Sequence, residues 1–352
     1  MSRRPKVVRS AAAGSVQRPM RAGAPGPTMS TMTSTTLPNS ASPAIETRGL
    51  GKRFGTRAAL DAVDLVVPRG VAFGFLGANG AGKTTLIRLL LGLAEPTAGS
   101  MRLLGRPMPG DRTAALARVG AIIEEPRFHP HLSGRENLRI YAAARTRDAH
   151  GRIDGALERV GLTARADERV KTYSLGMRQR LGVARCLLGD PELLILDEPL
   201  NGLDPAGILE MRRLIREFVD EGRTVLLSSH LLDEVEKTCD VAAIVDQGKV
   251  IAQGTIHELV NGGTRAIDVV CHNPAEAVAL LAAVPGVSRA AAESDGAIRV
   301  TLSPEAPVDR EIVTALLRRL LDHGVDIERI APAATSLEDR FLTMTTRLED
   351  RS

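Results

Sequence analysis

The chain has 352 residues, of which 43% are hydrophobic and 25% charged; this is enough for about two globular domains and excludes a collagenous or wholly disordered protein. Aromatic residues make up 2% and tryptophan is absent, so no stacking platform for bases is expected and nucleic acid is not expected as a partner. Arg3, Arg4, Lys6, Arg9, Arg18 and Arg21 precede Glu46 with no acid among them, so the whole-chain charge of +4 leaves −2 for the rest, and no basic folded face is expected.

Residues 1–43 are rich in Ala, Pro, Ser, Thr, Gly and Arg without helix or strand period, the composition of a disordered basic tail. No apolar stretch follows Arg3-Arg4, so a signal peptide is not expected. From residue 45, β-type runs at 45–50, 63–67 and 71–76 lead into a glycine loop and a helix at 86–93. Residues 134–188 read mostly as helix, with Ser133 as the N-cap of a helix over 135–144. Runs at 193–196, 225–228 and 241–245 have the pattern of buried strands. Strands alternating with helices predict a parallel α/β core with an inserted helical segment at about 125–178, within a domain spanning 44–262.

After Gly262-Gly263 the rhythm restarts: strand 266–271, helix 275–284, strands 287–292 and 298–302, helix 310–322, strand 325–330. That β-α-β-β-α-β order predicts a small C-terminal α+β, ferredoxin-like domain over 263–352. Its second helix carries Ile312, Val313, Leu316, Leu317, Leu320 and Leu321 on one apolar face. Cys186, Cys239 and Cys271 form no C-x-x-C pair, which fits buried thiols in a reducing compartment better than a metal or redox site. No apolar run reaches the ~18 residues that cross a bilayer.

Gly77-Ala78-Asn79-Gly80-Ala81-Gly82-Lys83-Thr84 fits the phosphate-loop pattern G-x-x-x-x-G-K-[ST], between a strand and a helix as that pattern requires. The glycines let consecutive amides face phosphate, Lys83 places a charge on the β and γ oxygens, and Thr84 offers a hydroxyl to Mg²⁺. Thr85 continues the loop into its helix, and ATP with Mg²⁺ is the expected ligand. Leu193-Leu194-Ile195-Leu196-Asp197-Glu198-Pro199 is an apolar strand delivering two carboxylates to the sheet edge where ligands bind. Asp197 suits the metal shell and Glu198 the polarisation of an attacking water.

Thr172-Tyr173-Ser174-Leu175-Gly176-Met177-Arg178-Gln179-Arg180 resembles the signature segment of ABC ATPases. The resemblance implies that Ser174 and Gly176 meet the γ-phosphate held by an opposing subunit, so that hydrolysis needs a dimer; Leu175 and Met177 replace the commoner Gly and Gln. Asn201-Gly202-Leu203-Asp204 resembles the D-loop, which implies an interface role for Asp204. His230 matches the switch histidine near the γ-phosphate, and Phe54, in Lys52-Arg53-Phe54-Gly55, matches the aromatic that stacks on adenine. In Val119-Gly120-Ala121-Ile122-Ile123-Glu124, Glu124 stands where most of the family has a glutamine near Mg²⁺, implying a metal or catalytic role. The same exchange occurs in bacitracin-type export ATPases, which Glu125-Pro126-Arg127-Phe128, Arg135-Glu136-Asn137-Leu138 and, at the chain end, Ser336-Leu337-Glu338-Asp339-Arg340-Phe341-Leu342 also resemble.

The resemblance covers residues 45–262 strongly. It implies the ATP-hydrolysing subunit of an ABC exporter, a homodimer or heterodimer peripheral to the cytoplasmic face of the membrane. A separate membrane-spanning permease would export a drug-like, peptide or lipid-like compound. The alternative is a soluble non-transport ABC ATPase, against which stand the single nucleotide domain and the lack of a long coiled-coil insertion. A small-molecule kinase on the same loop is disfavoured by Tyr173-Ser174-Leu175-Gly176-Met177.

Overall fold

The computed structural model describes residues 42–145, 147–261, 266–293, 296–303, 306, 309–333, 336–338 and 340–342. The tail expected over 1–43 lies outside them except for its last two residues, and the boundary expected at 262/263 also lies outside. The described residues belong to one compact unit, Ala41–Ser352.

Two strands open the fold, β1 (Ile45–Phe54) and β2 (Arg57–Val67). Gly55, at φ 58°, supplies the left-handed residue of the tight turn between them. A connection that short permits only antiparallel pairing. The β-type runs at 45–50 and 63–67 therefore lie outside the parallel core. They form a separate sheet with β4 (Ala98–Leu103) and β5 (Arg106–Met108), in the order β2-β1-β4-β5, and every pair is antiparallel.

The second sheet is the parallel core. It contains β3 (Ala72–Leu76), β6 (Val119–Ile122), β7 (Leu193–Asp197), β8 (Thr224–Ser229) and β9 (Val241–Asp246), with β10 (Lys249–Thr255) as an antiparallel edge on β9. The order is β10-β9-β3-β8-β7-β6. Every residue of β3, β7 and β8 is buried, as expected for parallel strands covered on both faces. Alternate residues go to different cores: Phe73, Phe75, Leu193 and Ile195 pack with the antiparallel sheet and helix α1 (Lys83–Leu90). Leu194, Leu196, Val225 and Leu227 pack with the residues of helix α6 (Pro205–Asp220) and the helical segment. Helix α1 starts three residues before the expected helix, directly on the phosphate loop, and Gly92 at φ 64° lies just past its end.

The helical segment contains α3 (Gly134–Ala143), α4 (Ile153–Arg159) and α5 (Leu175–Leu187); α2 (Arg112–Leu116) lies earlier in the chain, before β6. Ser133 caps α3 in a reciprocal box: its Oγ accepts from Glu136 N at 3.1 Å and its N donates to Glu136 Oε2 at 2.7 Å. The Ser133 backbone amide, and then its hydroxyl, hold the Glu136 carboxyl below its ordinary range.

After α7 (Leu232–Thr238) and α8 (Ile256–Asn261) comes a third sheet. Its elements follow as β11 (Ala266–Cys271), α9 (Pro274–Ala282), β12 (Val287–Ala292), β13 (Ile298–Leu302), α10 (Asp309–Leu321) and β14 (Ile327–Pro332). The strands lie in the order β12-β13-β11-β14, all antiparallel, and enclose their own core around Val269, Ile298, Leu281 and Leu316. Leu321, placed by periodicity on the apolar face, is exposed at the helix end. The chain then returns to the parallel core: Leu337 is fully buried there, its N donates to Glu236 Oε2 at 3.0 Å, and Arg340 Nε donates to Leu259 O at 3.2 Å.

Candidate nucleotide site

β3, β7 and β8 all end at the same edge of the parallel sheet, and their first following residues meet there. The loop after β3 needs its glycines. A Cβ on Gly77 would fall 2.4 Å from Val245 O, and Gly82 sits at φ 108°, where a Cβ would meet Ala59 O at 2.6 Å. The loop is therefore pressed against β9 on one side and β2 on the other, leaving its free face to the solvent.

Lys83 is 6% exposed. Its Nζ donates to Gly77 O at 2.7 Å and Ala78 O at 3.3 Å, and lies 3.2 Å from Glu198 Oε1. Asp197 ends β7, where its register partner is Ser228 of β8. The buried Ser228 hydroxyl donates to Asp197 Oδ1 at 2.5 Å and accepts from Glu198 N at 3.0 Å. Glu198 adopts φ 47°, an uncommon conformation for a residue with a side chain. This turn aims the carboxylate back over the loop, where Oε2 lies 2.9 Å from His230 Nδ1. One carboxylate thus bridges Lys83 and His230. Sequence reasoning missed Ser228; its only signal is a hydroxyl that follows the apolar run Val225-Leu226-Leu227.

A cleft of about 510 Å³ is lined by Phe54, Asn79, Gly80, Gly82, Lys83, Thr84, Thr85 and Glu198, together with Arg57 and Ala59, which sequence reasoning also missed. Phe54 is 56% exposed at its mouth with Lys52 Nζ 4.9 Å from the ring centroid, so it is not a core residue. Ala81 is buried behind the loop.

Ser174, Gly176 and Asp204 lie elsewhere. Tyr173, buried, donates its hydroxyl to Arg165 O at 2.6 Å, and the next residue, Ser174, caps α5 by accepting from Met177 N at 3.2 Å. Gly176 faces Leu203, which a Cβ would meet at 3.7 Å, and Asp204 caps α6 by accepting from Gly207 N at 3.1 Å. These segments touch each other but none of the three residues lines the cleft. Glu124 follows β6 at φ 57°; its side chain is 63% exposed and Oε1 accepts from Arg88 Nη2 at 2.9 Å. It does not line the cleft either.

Thr84 and Asp197 offer two hard oxygen donors beside the loop. Among the described residues no group of three or more His, Cys, Asp or Glu gathers as a metal cage. That donor set fits Mg²⁺, which is ordinarily held by one or two protein oxygens together with substrate phosphates. Cys186, Cys239 and Cys271 are buried, and burial pushes each thiol above its usual range, so none offers a thiolate.

A buried parallel strand turning through a glycine loop into a helix, beside a second strand ending in two carboxylates, defines a P-loop nucleoside triphosphatase. The sequence profile described as "ABC transporter" matches residues 60–201. The chain is 40% identical over 307 residues to the uncharacterised ABC transporter ATP-binding protein YdbJ of Bacillus subtilis, covering 87% of this chain and 96% of that protein. It is 38% identical over 303 residues to the bacitracin transport ATP-binding protein BcrA of Bacillus licheniformis, covering 85% and 96%. Among solved structures it resembles an ATP-binding subunit of an ABC transporter, with TM-score 0.56 and 30% identity over 62% of this chain and 92% of that one. The chain belongs to the ABC transporter ATP-binding proteins and is an ATPase.

Proposed function

We propose that this chain powers an exporter: two ATPase subunits, a homodimer or a heterodimer, drive a separate membrane-spanning permease from the cytoplasmic face of the membrane. The observation that carries the reading is the division of the site. Phe54, the loop and Glu198 line one cleft, with His230 held against Glu198, whereas Ser174, Gly176 and Asp204 neither line it nor touch Glu198, available to the cleft of a second chain. Relatives named for bacitracin transport, daunorubicin resistance and Nod factor export support export over import. The compound carried belongs to the same broad range, drug-like, peptide or lipid-like. No helix among the described residues is long and apolar enough to cross a membrane; the proposal gives the transmembrane path to the permease.

In this reading the adenine of ATP lies against Phe54, and the amides of residues 77–85 receive the phosphates at the N-terminus of α1. Thr84 and Asp197 would hold Mg²⁺, which when bound would supply positive charge to the phosphates. Ser228 keeps the Asp197 carboxylate oriented. Lys83 gives up its contacts with the loop carbonyls and Glu198 to meet phosphate. Glu198, still held by His230, is then an unneutralised carboxylate that takes a proton from the attacking water. Ser174 and Gly176 of a second chain close over the γ-phosphate, so that closure and hydrolysis are linked to movement of the permease.

Isolation of the tagged chain from membranes tests the export reading. Co-purification of a multi-span membrane protein is the expected result; co-purification with ribosomes or DNA, and no membrane partner, would replace it with a soluble non-transport role.

A further inference from the structure

We propose that Arg57 is a binding residue for the phosphate chain of the nucleotide, facing the loop from the β1–β2 hairpin. The inference rests on the reading of the cleft as the nucleotide site and adds a residue that the motifs do not contain.

Phe54 and Arg57 are register partners across the hairpin, so the turn at Gly55 presents the aromatic and the cation side by side. Both line the cleft that contains Lys83 and Thr84. The guanidinium reaches over the loop: Nη2 lies 3.9 Å from where a Cβ on Gly80 would stand. Gly80 has no side chain to block the space between Arg57 and the loop backbone.

The neighbouring cations are engaged. Lys52 donates to Glu95 O at 2.7 Å, Arg53 donates to Thr56 O at 2.6 Å, and Lys83 is held by Gly77 O and Glu198. The nearby carboxylate of Asp61 pairs with Lys249 at 3.3 Å. Among the described residues the Arg57 guanidinium, unlike its ladder-paired backbone, makes no hydrogen bond or ion pair. A guanidinium presents a planar fork of donors that matches two phosphate oxygens at once. Lys83 and the loop amides approach from within the fold, and Arg57 approaches from the rim. The loop leaves its outer face open to this cation.

The test uses the purified full-length protein and a fluorescent ATP analogue, displaced in turn by ATP, ADP, tripolyphosphate and adenosine. Arg57→Ala should weaken ATP and tripolyphosphate by about tenfold, the scale of one hydrogen bond to a charged group, and leave displacement by adenosine unchanged. Arg57→Lys, which keeps the charge and loses the fork, should fall between. Lys83→Ala is the control for the cleft. If Lys83→Ala loses the analogue while Arg57→Ala binds ATP as wild type does, Arg57 has no such role and the cleft assignment stands. If Arg57→Ala loses adenosine as much as ATP, the residue acts on the nucleoside and the phosphate assignment is wrong. If Lys83→Ala binds undiminished, the cleft reading itself fails and takes this inference with it.

Discussion

Glu198 is shared by two neighbours, Lys83 at 3.2 Å and His230 at 2.9 Å, and its proposed work requires that the first contact open and the second persist. Glu198→Gln keeps the shape and the link to His230 but cannot take a proton. It should bind MgATP and hydrolyse it at least ~100-fold more slowly, the usual scale for a positioned base, with an ATP-bound dimer accumulating on size exclusion. Near-normal turnover would remove Glu198 from that role. Ser228 acts on both carboxylate residues through one buried hydroxyl. Ser228→Ala would leave the Glu198 amide without its acceptor, a cost of about 1–3 kcal/mol, and should lower kcat more than it changes the KM for ATP; an unchanged kcat would make Ser228 a packing residue only. Glu124 is the harder case. To reach a metal it must exchange Arg88 for the cleft. If it does so, Glu124→Gln should need more Mg²⁺ for half-maximal hydrolysis, because a neutral amide oxygen holds the ion less well. Superimposable Mg²⁺ titrations would leave Glu124 as the partner of Arg88 on the outside of the site.

What could be read from the chain differs with the length of the element. The loop of residues 77–84 and the strand ending in Asp197 were readable because their chemistry is contiguous in sequence. Ser228 was not, because its neighbour Asp197 is set by strand register between distant segments, and Arg57 was not, because its place over Gly80 is set by how the hairpin packs on the loop. The runs at 193–196, 225–228 and 241–245 were readable as strands because a strand buried on both faces is apolar at nearly every position. β4 begins with three exposed residues, Ala98, Gly99 and Ser100, and β10 has no buried residue at all; their apolar runs are short, and both are held by pairing with neighbours. The terminal segment makes its contribution through α7, which begins two residues after His230. Leu337 is buried against this region and its amide meets Glu236. Leu337→Ala should cost about 2–5 kcal/mol through the cavity it leaves, and hydrogen exchange in α7 should rise more than in α1. Equal exchange in both helices would mean that the segment does not support α7.

At the scale of the molecule, the two cores on either face of the parallel sheet fix the loop and the carboxylates in one frame, while Ser174 and Gly176 belong to a helical segment whose start is fixed separately by Tyr173 and Arg165. On the proposed reading a single chain presents two half-sites, and Ser174 and Gly176 do not line its own cleft. This leads to a test by complementation. A Lys83→Ala chain keeps its signature segment, and a Ser174→Arg chain keeps its loop; each alone should be inactive. In a closed two-fold dimer the surfaces are exchanged reciprocally, so a mixed pair contains one site built from the intact loop of one chain and the intact signature segment of the other. Mixing equal amounts, with time to exchange, should restore roughly a quarter of wild-type activity for random pairing. If the mixture does no more than the sum of its parts while both variants still dimerise, the site is not shared between chains, and the division of the cleft from Ser174 and Gly176 needs another explanation.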